Sequence, residues 1–456
     1  MKHKNNLGED PILPLVLRLA IPTMLAQLVN VLYSIVDRMY IGNIPDIGAI
    51  ALAGVGVCGP IVTLLSSFAS LVGLGGSPIM AMRMGEGDHK AAQRVLNNSF
   101  LLLLCLAGVL TAVFLLAREP MLMLFGASAE TFPYANTYLT IYTAGTFFAL
   151  LATGMNSFLI CQGYAALGMA TVLVGAVMNI VLDPIFIYVF GMDVAGAAIA
   201  TVISQMASCI FVLLSLLRKS MPVRLGWGGF CWDVMRRVMM FGLSPFLIIA
   251  SDSVLLIVLN AMLQRYGGPG EGDILVTCGT IVQSYMCIIT MPMGGITAGT
   301  QPVVSFNYGA GKTDRIKKAI KCITCICLIF TGLMTVFTYT LSPLFVRLFT
   351  GDAALIARSV RCIKIFTLAI LPLAVQYTLV DQTVAMGQLR LALFCSMFRK
   401  VTFLVCTVAL PILFFAEAAF FAEPICDLLC STTTTILFLR FFPRILQKRT
   451  LELAQV

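Results

Sequence analysis

The chain is poor in charge. Only 11% of its 456 residues are Asp, Glu, Lys or Arg, where a soluble domain carries about 25%, so water is excluded as its main solvent. Histidine is scarcer still: His3 and His89 are the two in the chain, both at the ends of apolar runs. No Walker loop, zinc motif or nucleophile elbow is present, so ATP hydrolysis by this chain is not expected to drive anything. A membrane enzyme would need His, Cys or paired carboxylates clustered at the bilayer surface, and no such cluster is legible. Period-2 alternation is missing, which argues against barrel strands. A cleavable signal peptide is not expected, because the first apolar run is too long and carries Asp37-Arg38. The fifteen cysteines are scattered through apolar runs. Even Cys322-x-x-Cys325 falls inside one, and reads as small buried apolar residues rather than a redox or metal pair.

What is abundant is apolar length. Hydrophobic residues make up 59% of the chain. Runs of roughly 20 apolar residues span a bilayer as helices, and twelve are read: 14–41, 49–74, 95–117, 134–156, 163–190, 194–217, 238–264, 275–299, 319–342, 359–386, 391–415 and 417–442. The fold class is therefore an all-α polytopic membrane protein. With the N-terminus inside, twenty-three of the thirty Lys and Arg fall on inner segments, Lys2, Lys4, Arg399 and Lys400 among them. That bias places both termini in the cytoplasm, and the expected location is the plasma (inner) membrane. The bases are spread over short loops rather than one stripe, so no nucleic-acid partner is expected.

The two halves match. Pro78 and Pro302, Gly85 and Gly309, Gly87 and Gly311 are each 224 residues apart. The same offset relates Leu124-Phe125 to Leu348-Phe349 and Gly163 to Gly387. A constant offset near half the length means two tandem copies of one unit. An even number of spans per copy keeps both in the same orientation, giving two parallel six-helix repeats. The expected domains are an N-lobe (1–217), a cytoplasmic linker (218–237) and a C-lobe (238–456). In so apolar a chain, tandem halves point to a transporter whose substrate lies between them.

Ionisable groups inside spans are costly and mark candidate functional positions. They are Asp37, Asp183, Asp252, Asp381, Glu417, Glu423 and Asp427. Asp37 lies about 36 Å along the first span and Asp183 about 30 Å along the fifth, so both sit at a similar height in the outer half. Asn179 precedes Asp183 by four residues and Tyr33 precedes Asp37 by four, each on the same helical face. Two carboxylates, an amide and a phenol at one level would hold a sodium ion or share a proton. The competing readings of Asp37 are a structural pair with Arg38 or an interfacial position near the outer headgroups. Asp252, after Gly242-Leu243-Ser244-Pro245, has no acid at the matching place in the first half and reads as an accessory cavity residue. Asp381 reads as structural, and Glu423 and Asp427 as structural or facing a solvated cavity. Pro22 should kink the first span.

With these residues in hand, the chain resembles the multidrug and toxic compound extrusion (MATE) family over about 10–445. The likeness rests on three stretches: Val36-Asp37-Arg38-Met39-Tyr40-Ile41-Gly42; Asn179-Ile180-Val181-Leu182-Asp183-Pro184, followed by 194–201; and Gln301-Pro302-Val303-Val304-Ser305-Phe306-Asn307-Tyr308-Gly309-Ala310. The resemblance implies that Asp37, Asn179, Asp183 and Thr201 form an N-lobe cation site, with Tyr33 beside it and Pro22 at a bending point. Asp252 falls where one branch carries a C-lobe acid. That branch's second acid would align near Val375-Gln376, which are uncharged here.

The expected function is a secondary antiporter, working as a monomer among membrane lipid. It would couple Na+ or H+ entry to export of amphipathic organic cations and use no other cofactor. The rival is a flippase for a lipid-linked sugar, which would want several basic residues in its cavity. The unpaired charges within the spans read as mostly acidic, favouring a cationic substrate.

Overall fold

The structure, a computed structural model, describes residues 5–268 and 271–454, apart from the side chains at 49, 253, 273 and 454. Lys2, His3 and Lys4 lie outside that range. The described residues form helices and no strands. The first half holds α1 (Ile12–Gly42), α2 (Gly48–Gly85), α3 (His89–Leu116), α4 (Arg118–Leu124), α5 (Phe132–Ala144), α6 (Thr146–Cys161), α7 (Ala165–Pro184) and α8 (Asp193–Leu217). The second holds α9 (Trp232–Gly267), α10 (Glu271–Gly309), α11 (Thr313–Val346), α12 (Ala353–Phe366), α13 (Ile370–Ala385), α14 (Leu389–Leu413) and α15 (Ala422–Ala454). A 3-10 turn, Ala416–Phe421, leads into α15.

Among the described residues, ten helices are long and apolar enough to cross a bilayer, and two bent pairs bring the number to twelve. The fourth and tenth spans are those pairs. α5 and α6 meet at 56°, and α12 and α13 at 47°, where the sequence reads single runs. Apolar composition sets length but not direction. The first bend falls at Gly145, whose Cβ position would lie 2.4 Å from a Val202 methyl of α8. At the second, the Thr367 hydroxyl donates back to Ile363 O at 2.8 Å. α2 and α10 also overshoot their expected ends at 74 and 299, continuing to Gly85 and Gly309. α1 stays one helical element through Pro22. Beside it, the Thr23 hydroxyl donates to Leu19 O and Ala20 O at 2.8 and 3.1 Å.

The sequence repeat has a conformational basis. Gly87 and Gly311 take φ of +81° and +71°, and Gly163 and Gly387 take +88° and +75°. Only glycine enters this region without strain. The halves exchange partners: α1 packs on α10, and α2 on α9. At one end of the molecule α2 and α10 cross in reciprocal contact. A Cβ on Gly85 would lie 2.0 Å from Phe306 O, and one on Gly309 would lie 2.0 Å from Met82 O. Met82 and Phe306 are themselves 224 apart.

Both described ends of the chain gather at this crossing. Asn5 Nδ2 donates to Gly163 O in the first half at 2.8 Å. In the second half, Asn307 Nδ2 donates to Leu7 O at 2.9 Å, Lys312 Nζ to Gly8 O at 2.9 Å and Arg315 to Asp10 O at 2.8 Å. Near the other end of the chain, Arg449 pairs with Glu86 at 2.6 Å and donates to Tyr308 O and Gly309 O. The segment between α8 and α9 is pinned to α3: Asn97 Oδ1 accepts from Gly226 N, and Asn98 bonds Gly229 O and Cys231 N.

Candidate cation site and its C-lobe counterpart

In the first half, α1, α7 and α8 bring four predicted side chains together. Asn179 is buried, and its Nδ2 donates to Asp183 Oδ1 at 3.0 Å along one face of α7. The same amide reaches Thr201 Oγ1 of α8 at 3.4 Å. The Thr201 hydroxyl spends its proton on Ala197 O at 3.0 Å, so its oxygen can only accept from, or ligate, what enters the pocket. The carboxyls of Asp37 and Asp183 are within hydrogen-bonding reach of each other. Two carboxylates have no proton to donate, so this contact needs a shared proton or a bridging cation. Three buried oxygens are left without a partner there: Asp37 Oδ1, Asn179 Oδ1 and Asp183 Oδ2. These hard oxygen donors suit a proton or an alkali cation better than a soft metal.

Tyr33 lies beside this group, with Asp37, Asp183 and Tyr142 as its neighbours. The α5 phenols escaped sequence reasoning. Tyr138 and Tyr142 stack with centroids 6.1 Å apart, and Asp37 and Tyr33 are among the neighbours of Tyr138. Gln205 Nε2 of α8 donates to Tyr142 OH at 3.3 Å. The i, i+4 spacing of the two phenols in an apolar run was the available signal.

The second half requires a correction. Arg399 and Lys400, counted as inner-segment bases, sit in the middle of α14. Nor are Asp252, Glu417, Glu423 and Asp427 unpaired. Arg399 pairs with Glu423 at 2.5 Å and Asp427 at 3.0 Å, and Lys400 pairs with Asp252. The reason is topological: helix packing joins charges far apart in sequence that a linear scan counts singly. Arg358 likewise pairs with Glu271 and Glu417, at 2.6 and 2.7 Å. Asp381 of α13 lies next to Thr297. Gln376, at the expected place of a missing acid, is buried with its Oε1 unpartnered. Cys322 and Cys325 are free thiols on α11, half-buried and exposed.

An oxygen pocket with no fixed positive charge in its ligand set, sunk among the spans of a doubled helical bundle, is suited to holding something in passage. The chain is a multi-pass membrane transporter, not an enzyme. Comparison with known families agrees: the MatE family model matches residues 22–185 and again 247–409. The chain belongs to the MatE family. It is 25% identical over 403 residues to the multidrug export protein MepA of Staphylococcus saprophyticus, covering 88% of this chain and 86% of that one. Against MepA of Staphylococcus haemolyticus it is 26% identical over 437 residues, covering 95% and 93%. Among solved structures, an outward-facing multidrug resistance MATE transporter of the MOP superfamily superposes with a TM-score of 0.89 at 23% identity, over 98% of this chain and 99% of that one. A MOP superfamily transporter from Pyrococcus furiosus, described as having a binding pocket of reverse polarity, superposes at 0.88 with 24% identity, over 98% of each chain.

Proposed function

We propose that the chain is a multidrug efflux antiporter of the plasma (inner) membrane, with both termini cytoplasmic. It exports amphipathic organic cations in exchange for Na+ or H+. The observation that carries this reading is the contact between Asp37 and Asp183 with three unpartnered oxygens around it. Asp37, Asn179, Asp183 and Thr201 would hold the coupling ion. A proton or Na+ neutralises the pair and removes the attraction for a positively charged substrate. Coupling then requires that ion and substrate bias the same two-state bundle in opposite directions. The family match and the MepA relatives support export of several drugs. A sugar-lipid flippase is disfavoured because both bases at mid-span, Arg399 and Lys400, are tied to acids.

The test is dye efflux from energised vesicles under imposed Na+ and pH gradients. Asp37→Asn, a neutral isostere, should abolish gradient-driven efflux at normal membrane levels. Full efflux by that variant would refute the coupling site.

A further inference from the structure

The C-lobe gathers polar groups on the same three spans as the N-lobe, but at positions and with charges of its own. In each half the first, fifth and sixth spans carry a cluster of polar groups. In the N-lobe these are α1 (Asp37), α7 (Asn179, Asp183) and α8 (Thr201). In the C-lobe they are α9 (Asp252), α14 (Arg399, Lys400) and α15 (Glu423, Asp427). The first set lacks a cation and the second brings two. Lys400 lies eleven residues into α14, about 16 Å along it, near the middle of a hydrocarbon core about 30 Å thick.

The two C-lobe bases are held differently. Arg399 is fixed. Its guanidinium bonds Glu423 and Asp427 and lies 6.0 Å from the Tyr377 ring centroid, with its side chain 14% exposed. Lys400 has one carboxylate partner, Asp252, whose side chain is 56% exposed. Across from it, Cys287 of α10 has both Asp252 and the N-lobe's Arg38 as charged neighbours. The adjoining triad also carries one base against two acids, and Asp427, fully buried, has its Oδ2 unpartnered. Tyr377 has Asp252, Arg399, Glu423 and Asp427 all as neighbours, so the partner of Lys400 and the acid-rich triad flank one ring.

We propose that Asp252 is a recognition carboxylate for a monovalent organic cation, and that the Lys400 ammonium is a tethered placeholder which the substrate displaces. A lipophilic cation takes the exposed face of Asp252. The released ammonium turns toward the acid-rich Arg399 triad. Asp252 is thus never left bare at mid-membrane, where an unpaired charge is costly. The site discriminates by charge: a neutral molecule cannot evict Lys400, and an anion finds its bases already paired. This deepens the efflux reading and rests on it for the charge of the substrate.

The experiment is equilibrium binding of tetraphenylphosphonium to the full-length protein in detergent, with no gradient, so failure of the ion-coupling reading leaves it interpretable. Lys400→Met removes the competitor and should tighten binding by about tenfold. Asp252→Asn should weaken binding and erase that gain in the double variant. Asp37→Asn should leave the gain in place. Lys400→Gln serves if the Met variant is unstable by gel filtration and melting. Unchanged or weaker binding by a folded Lys400 variant would overturn the proposal. So would a gain that persists without Asp252.

Discussion

Gly309→Ala tests whether the crossing of α2 and α10 seals the end of the molecule that carries the termini. The new Cβ would lie 2.0 Å from Met82 O. A carbon–oxygen contact needs about 3.3 Å, so the helices must part by more than an ångström. A backbone carbonyl within a helix cannot turn aside. Overpacking of this kind costs about 1–3 kcal/mol. A conformer with the halves parted would escape that cost, since the methyl would no longer meet Met82 O. The sealed population should therefore fall about 5- to 150-fold relative to the open one. Spin labels carried by unnatural amino acids at His89 and Asp314 would report the separation, since fifteen native cysteines complicate thiol labelling. Gly56→Ala is the control, because nothing lies within 4 Å of its Cβ position. An unchanged, narrow distance distribution in a well-folded Gly309→Ala protein would refute the reasoning.

Three further outcomes are expected. Arg449→Ala, which removes the bridge to Glu86 and two carbonyl bonds, should loosen the same end by about 2 kcal/mol, read as broader distances between the same labels. Arg399→Met strands two buried carboxylates and should destabilise by about 3–5 kcal/mol; a melting temperature equal to the parent's would mean the cluster is hydrated. Asn98→Ala frees Gly229 O and Cys231 N and should speed proteolytic nicking between 218 and 231, with the lobes themselves still folded.

The doubled bundle was legible because two strong signals reach the sequence directly. Apolar length marks a span, and left-handed glycines such as Gly163 and Gly387 recur wherever the chain must turn the same way. The grouping of Asp37, Asn179 and Asp183 was legible because helical rise fixes depth and i, i+4 spacing fixes a face, whereas Thr201 entered only through the family resemblance. Bends were not legible: nothing in the composition of 134–156 shows that Gly145 is pressed against Val202. The C-lobe charges were misread for a similar reason. Arg399 stands 24 and 28 residues from the acids it bonds, and Lys400 stands 148 from Asp252. A scan that stops at each helix sees acids without partners and bases at a membrane edge.

The Gly85–Phe306 and Gly309–Met82 contacts are one contact used twice. Between identical subunits such a surface would be isologous, each side serving as its own complement. The chain thus closes as a two-fold dimer whose protomers share a backbone. That symmetry constrains only the seal. The polar clusters of the two halves lie on other helices and take no part in it, so one half could keep an acid-only pocket while the other acquired its own cations. The closing motion can stay symmetric while the chemistry it encloses does not.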